Sequence, residues 1–325
     1  MPRYNTLSSS NLGRRAAIVL MAATGAAHMS PTAHAAENIV WLVGFPPGGT
    51  ADVLTRSIAQ QLSRLSGHNV VVDNRPGASG AIALQQAAKA ASDGNTLITV
   101  PGPLLHANPV PEMGKELRAV AMLAQGPMVL VAPAGSAPAD FAALVKAMKA
   151  APKDWSYATS GNGTSQHLAG ELMNQMAGTQ AVHVPYRGGG QAITDVVGGQ
   201  VPLAMLGASP VLPHIQSGKL KALAVTSSKR LELLPQVPTF QEAGLKGYEA
   251  TQWFSVAVPA QTSNARVQQL NAWLLAALDT PAVQEVIRSS GNVKGIGSAE
   301  EVEMFLRKDT ETWKRLAAQS KMQLN

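Results

Sequence analysis

The 325-residue chain contains no cysteine, which excludes a disulfide scaffold, a cysteine-ligated zinc site and an iron–sulfur cluster. Aromatic residues are scarce, at 4%. Beyond residue 27 no run reaches the roughly 18 uninterrupted apolar residues of a membrane span. No Walker loop, no His-Glu-x-x-His and no metal-ligand spacing of histidines and acids is present, Gly77-Ala78-Ser79-Gly80 lacks the spacing of a nucleophile elbow, and Gly161-Asn162-Gly163 lacks the third glycine of a dinucleotide fingerprint. Nothing in these patterns demands an enzyme, a cofactor or a metal. What remains is ordinary globular usage, with 46% hydrophobic residues, 29 Gly and 21 Pro, which rules out disorder and collagen. At about 150 residues per domain the length suggests two domains.

The first 35 residues read as an export signal. Arg14 and Arg15 precede the weakly apolar stretch 16–27, and Ala33 and Ala35 supply the small residues of a cleavage point. The expectation is a periplasmic protein that begins near Ala36 and has no membrane anchor. The paired arginines fit general or twin-arginine secretion, and a cytosolic tail is the alternative to both. Removing Arg3, Arg14 and Arg15 with this segment takes the 26 basic residues to 23, against 20 acidic. That excess is too small to point to nucleic acid.

Short β-type runs then alternate with longer helical ones. Strands are expected over 39–43, 69–73 and 96–100, with helices over 51–65 and 81–91, and the pattern restarts near Gly126 with strands over 128–132, 156–159, 181–184, 203–206 and 220–226. Near-continuous apolar strands separated by helices predict an α/β protein with parallel sheets covered on both faces. Helical sequence continues to the end of the chain and needs a sheet to cover. The predicted organisation is therefore a discontinuous first domain, 36–124 and 225–325, with a second domain, 125–224, inserted in it.

Two loops at strand ends carry the candidate chemistry. Phe45-Pro46-Pro47-Gly48-Gly49-Thr50-Ala51-Asp52 leads into the first helix, and its glycines bring backbone N–H groups to a cleft, as an anion site requires. A plain turn capped by Thr50 fits the same residues. Ser160-Gly161-Asn162-Gly163-Thr164 offers a second set of amides and hydroxyls, and the two loops would close on one small anion from opposite sides. Tyr186 would add an apolar wall with a hydroxyl, and Arg187 either a charge complement or a solvated edge. For His167, one turn into a helix, capping or packing is favoured over ligand contact, and Arg75 reads equally as a ligand candidate and as a brace for a neighbouring loop. Trp253 and Phe254 read as core.

Six motifs in order, Phe45 to Asp52 with Arg56, Asn74 to Gly80, Asp93 to Leu97, Ser160 to Leu168, Val184 to Gly189 and Leu234 to Gly244, resemble those of the Bug receptors. These are the extracytoplasmic solute-binding proteins of the tripartite tricarboxylate transporter family. The resemblance implies a two-lobed, type II-like periplasmic binding protein of Venus-flytrap form, with two doubly wound sheets and a ligand cleft between them. It implies a small carboxylate ligand, delivery to separate membrane transporter subunits and a monomeric receptor. The ligand-binding roles fall on Phe45, Pro47, Gly48, Gly49, Asp52, Ser160, Gly161, Gly163 and Thr164, with Tyr186 and Arg187 as further candidates. The chain departs from the family pattern in a shorter connection after Pro109, and Asn95 stands where Tyr is common. A membrane-sensor adaptor is the alternative within the binding class, and a secreted hydrolase using His167 the alternative outside it.

Overall fold

The first strand and helix show how the sequence makes the core. β1 (Ile39–Val43) is almost wholly apolar and buried, and α1 (Thr50–Ser66) sends Leu54, Ile58 and Leu62 inward at four-residue spacing. Each such side chain contributes about 1.5–3 kcal/mol by leaving water. α1 ends at Gly67, whose φ of 73° suits a left-handed cap. The computed structural model describes residues 1–2, 38–103, 105, 110–295 and 297–319. The export segment with its cleavage point at Ala35, and residues 106–109 beside the shortened connection, lie outside the described residues.

β2 (Val70–Asn74), β1 and β3 (Thr96–Gly102) are parallel, with α1 and α2 (Ala81–Ala88) as their crossovers. Past β3 the sheet stops being parallel. β9 (Thr251–Pro259) runs antiparallel to β3, β4 (Leu117–Pro133) antiparallel to β9, and the short β10 (Val293–Lys294) antiparallel to β4. In the second group β6 (Val182–Pro185), β5 (Ser156–Thr159) and β7 (Leu203–Gly207) are parallel, while β7 and β8 (Leu220–Val225) flank the far half of β4 in antiparallel pairing.

The expectation of parallel sheets therefore needs correction: both are mixed. β4 passes through both sheets, pairing with β9 over 117–127 and with β7 over 128–131. It belongs to no βαβ crossover, and its pairings with β9, β7 and β8 are all antiparallel. α3 (Phe141–Ala150), α4 (Ser165–Ala177), α5 (Gly189–Val197) and α6 (Ala208–Gln216) serve the second group.

The stretch after Val225 stays with the second core. Met128 N–H donates to Thr226 Oγ1 at 2.8 Å, Phe240 N–H donates to Val225 O, and Phe240, Leu245 and Tyr248 are buried with Phe141 and Leu144. The chain re-enters the first sheet at β9 rather than at Val225. α7 (Asn264–Leu278) and α8 (Pro281–Ser289) cover that sheet beside α1. α9 (Ala299–Gln319) bridges the two groups, burying Val302 and Leu306 in the first core and Trp313 and Ala317 in the second.

Candidate functional site

The loop after β1 is shaped by contacts that exclude side chains. A Cβ on Gly44 would lie 2.7 Å from Gly80 Cα, so the chain turns here only with glycine. Asp52 is 4% exposed, and its carboxylate accepts from Gly48 N at 3.0 Å, Arg56 Nε at 2.8 Å and Asn74 Nδ2 at 2.9 Å. Asn74 Nδ2 also donates to Phe45 O. Asp52 thus holds the loop, leaving the first-turn amides of α1 facing the gap between the sheets.

The loop after β5 is built similarly. Thr164 caps α4 by accepting from His167 N, and its hydroxyl donates to Gly161 O at 2.8 Å. Gln166 Oε1 accepts from Ser160 N, and His167 Nδ1 accepts from Gly163 N at 3.1 Å. The His167 ring stacks on His183 at 3.8 Å between centroids, and His183 Nε2 meets Thr159 Oγ1 at 2.7 Å. Burial lowers the pKa of His167 to about 4; burial and then the neighbouring imidazole lower that of His183 to about 3. Beside them Tyr157 donates to Glu171 Oε1 at 2.5 Å, and burial raises the Glu171 carboxyl above its ordinary range. A neutral imidazole whose Nδ1 already serves the loop is packing, not a general base for a hydrolase.

The two loops meet. A Cβ on Gly188 would stand 2.8 Å from Pro46 Cδ, one on Gly161 2.5 Å from Ser79 Oγ, and one on Gly207 2.9 Å from Thr50 Oγ1. Ala78 and Ser79 have φ of 46° and 51°, a conformation that costs a non-glycine residue about 1–2 kcal/mol. Between these contacts lies a cavity of about 50 Å³, room for about four waters. Phe45, Pro46, Gly49, Thr50, Ala51, Pro101, Ser160, Thr164, Ser165, Gln166, Gly189, Pro210, Gln252 and Phe254 line it. These residues include the starts of α1, α4 and α5 and the first turn of α6, so four helix N-termini surround one small space. Among the described residues no charged side chain lines it. Unpaired N–H groups and four positive dipole ends with no acid in the wall suit an anion.

Of the residues expected at the site, Phe45, Gly49, Ser160 and Thr164 line the cavity. Pro47 and Gly48 are exposed outside it, and the Gly48 N–H is engaged by Asp52. Asp52, Gly161 and Gly163 shape the loops; the Gly163 N–H, expected to reach the ligand, is taken by His167. Tyr186 turns its hydroxyl to Asp195 Oδ2 at 2.7 Å, and burial and that carboxylate raise its pKa to about 12. Arg187 is exposed, and Arg75 pairs with Asp73.

Sequence reasoning missed Gln252; Phe254, expected in the core, lies there and forms part of the cavity wall as well. A single Gln immediately before the mostly apolar run 253–258 was the available signal. Its Nε2 is buried and without a hydrogen-bond partner. Among the described residues no group of three or more His, Asp or Glu side chains is placed to hold a metal ion, and no helix is long and apolar enough to cross a membrane.

Known proteins share this sequence pattern and fold. Residues 54–322 match the tripartite tricarboxylate transporter family receptor model. A UPF0065 protein encoded between tcbD and tcbE in Pseudomonas sp. strain P51 is 37% identical over 326 residues, covering 97% of both chains. The structure of the periplasmic binding protein BugD superposes with a TM-score of 0.83 at 29% identity, covering 87% of this chain and 97% of that one. Rpa4515 of R. palustris, solved with adipate, superposes with a TM-score of 0.83 at 30% identity, covering 90% and 98%. The solved neighbours are two-lobed binding proteins and not enzymes. The chain belongs to the receptor family of the tripartite tricarboxylate transporters, the periplasmic solute-binding proteins that include the Bug receptors.

Proposed function

We propose that this protein is a periplasmic receptor that holds a small carboxylate in the cavity between its two groups of strands and delivers it, as a monomer, to separate membrane subunits. The observation that carries the reading is the convergence of four helix N-termini on an uncharged cavity. A carboxylate placed there would accept from amides that the fold leaves unpaired, with the dipoles favouring its charge. Adipate in Rpa4515 supports the ligand class.

Export with cleavage near Ala35 belongs to the same reading, as does division into lobes whose loops touch one ligand only when closed. A thermal-shift screen of the purified protein against mono-, di- and tricarboxylates tests it. An acid at 100 times its dissociation constant adds about 2.7 kcal/mol to stability and raises the melting temperature. No shift with any acid would contradict the reading.

A further inference from the structure

One buried polar group at the cavity has no partner in the fold. Gln252 is 3% exposed, and its Nε2 has no acceptor. Buried donors in folded proteins are almost always paired, so an unpaired one lining a binding cavity marks a place for a ligand atom or a water. Gly207, which caps α6, keeps that place clear. A Cβ there would lie 2.4 Å from Gln252 Nε2 and 2.9 Å from Thr50 Oγ1. Its φ of −57° and ψ of 151° are open to any residue, so the adjacent Gln252 and Thr50 side chains, not the backbone, make glycine fit. Gln252 from β9 and Thr50 from α1 therefore meet at one corner of the cavity, while Phe45 and Phe254 supply apolar wall.

We propose that Gln252 is a specificity-determining residue, its amide donating to a second oxygen of the bound acid, so that the receptor selects dicarboxylic acids over monocarboxylic acids with a plain hydrocarbon tail. The inference rests on the carboxylate-binding reading above. The helix N-termini supply donors for one carboxylate without Gln252. An acid ending in hydrocarbon closes the cavity with Nε2 still dry, whereas an acid with a second oxygen pairs it. A site with a buried donor discriminates through that unmade bond.

Calorimetric titration of the purified protein with two matched pairs, succinate against butyrate and adipate against hexanoate, tests the proposal. The parent should prefer the diacid of at least one pair by about 100-fold, and Gln252→Leu should reduce that preference by about 10- to 100-fold. Gly207→Ala is the independent variant. The atoms its methyl meets, Gln252 Nε2 and Thr50 Oγ1, are both side-chain ends and not backbone, so the fold can yield, and displacing Gln252 should reduce the same preference. An unchanged melting temperature in either variant shows that the fold is kept.

A parent that binds diacid and monoacid equally, or folded variants that keep the parent's preference, would overturn the proposal while leaving the carboxylate reading intact. Equal loss for both members of a pair would also overturn it, because Gln252 would then serve the shared carboxylate. A parent that binds none of the four acids would overturn both the proposal and the reading on which it rests.

Discussion

Asp52 shows why a residue can belong to a site motif without touching the cavity. Its carboxylate is consumed by Gly48 N–H, Arg56 and Asn74, so it stabilises the shape of the loop, and its charge is neutralised by Arg56 before an anion arrives. The stacked His167 and His183 do the same beneath the second loop, and burial gives them a defined response to acid. Each is depressed in the folded state, to about 4 and about 3, against about 6.5 in the unfolded chain. The unfolded chain is therefore protonated first. The stability they contribute is fully present above pH 6.5 and is lost as pH falls from there toward 4 and 3. Glu171, raised by burial, works in the opposite sense and gains as pH falls. Histidine NMR should show neither ring titrating between pH 8 and 5, and His183→Gln should lose less stability than the parent from pH 7 to pH 5. A ring with an inflection near 6.5 would contradict this burial.

Elements were legible in the sequence where one force dominated. The apolar runs that became β1 and β7, and the four-residue stripe of α1, needed no tertiary information. α6 was not legible: Pro210 and Pro213 disguise it, although Pro210 falls in the first turn, where no N–H bond within the helix is lost. The near half of β4 was hidden by Gly126 and Pro127, which read as a break and instead sit in register with Gln252 and Thr251. Both loops were found from glycine content, but their division of labour was not, because it depends on which amides are already bonded. Gly49 caps α1 with φ of −78° and has nothing within 4 Å of a Cβ position, whereas Gly163 has φ of 68°. Gly49→Val should therefore leave denaturant stability within about 1 kcal/mol and weaken acid binding by more than about tenfold by filling cavity space. Gly163→Val should lose about 1–2 kcal/mol of stability through its backbone. Paired denaturation and calorimetry check both, and similar behaviour of the two variants would reject the distinction.

At the scale of the molecule, the cavity depends on contact between loops from two sheets that share β4 and are bridged by α9. Trp253 of β9 donates to Asp309 of α9 at 2.8 Å, tying the bridge to the strand that carries Gln252. If those loops part when the site is empty, solution scattering should show a smaller radius of gyration with a bound acid, and superimposable profiles at saturation would indicate a rigid pocket. The central claim is narrower: backbone amides at four helix N-termini, with no charged side chain, hold a carboxylate. Calorimetric titration of the parent with adipate and with its uncharged diamide tests it most directly. The account predicts that the acid binds and the diamide, similar in shape but without negative charge, binds at least about 100-fold more weakly. Equal affinity for the two, or tighter binding of the diamide, would contradict it.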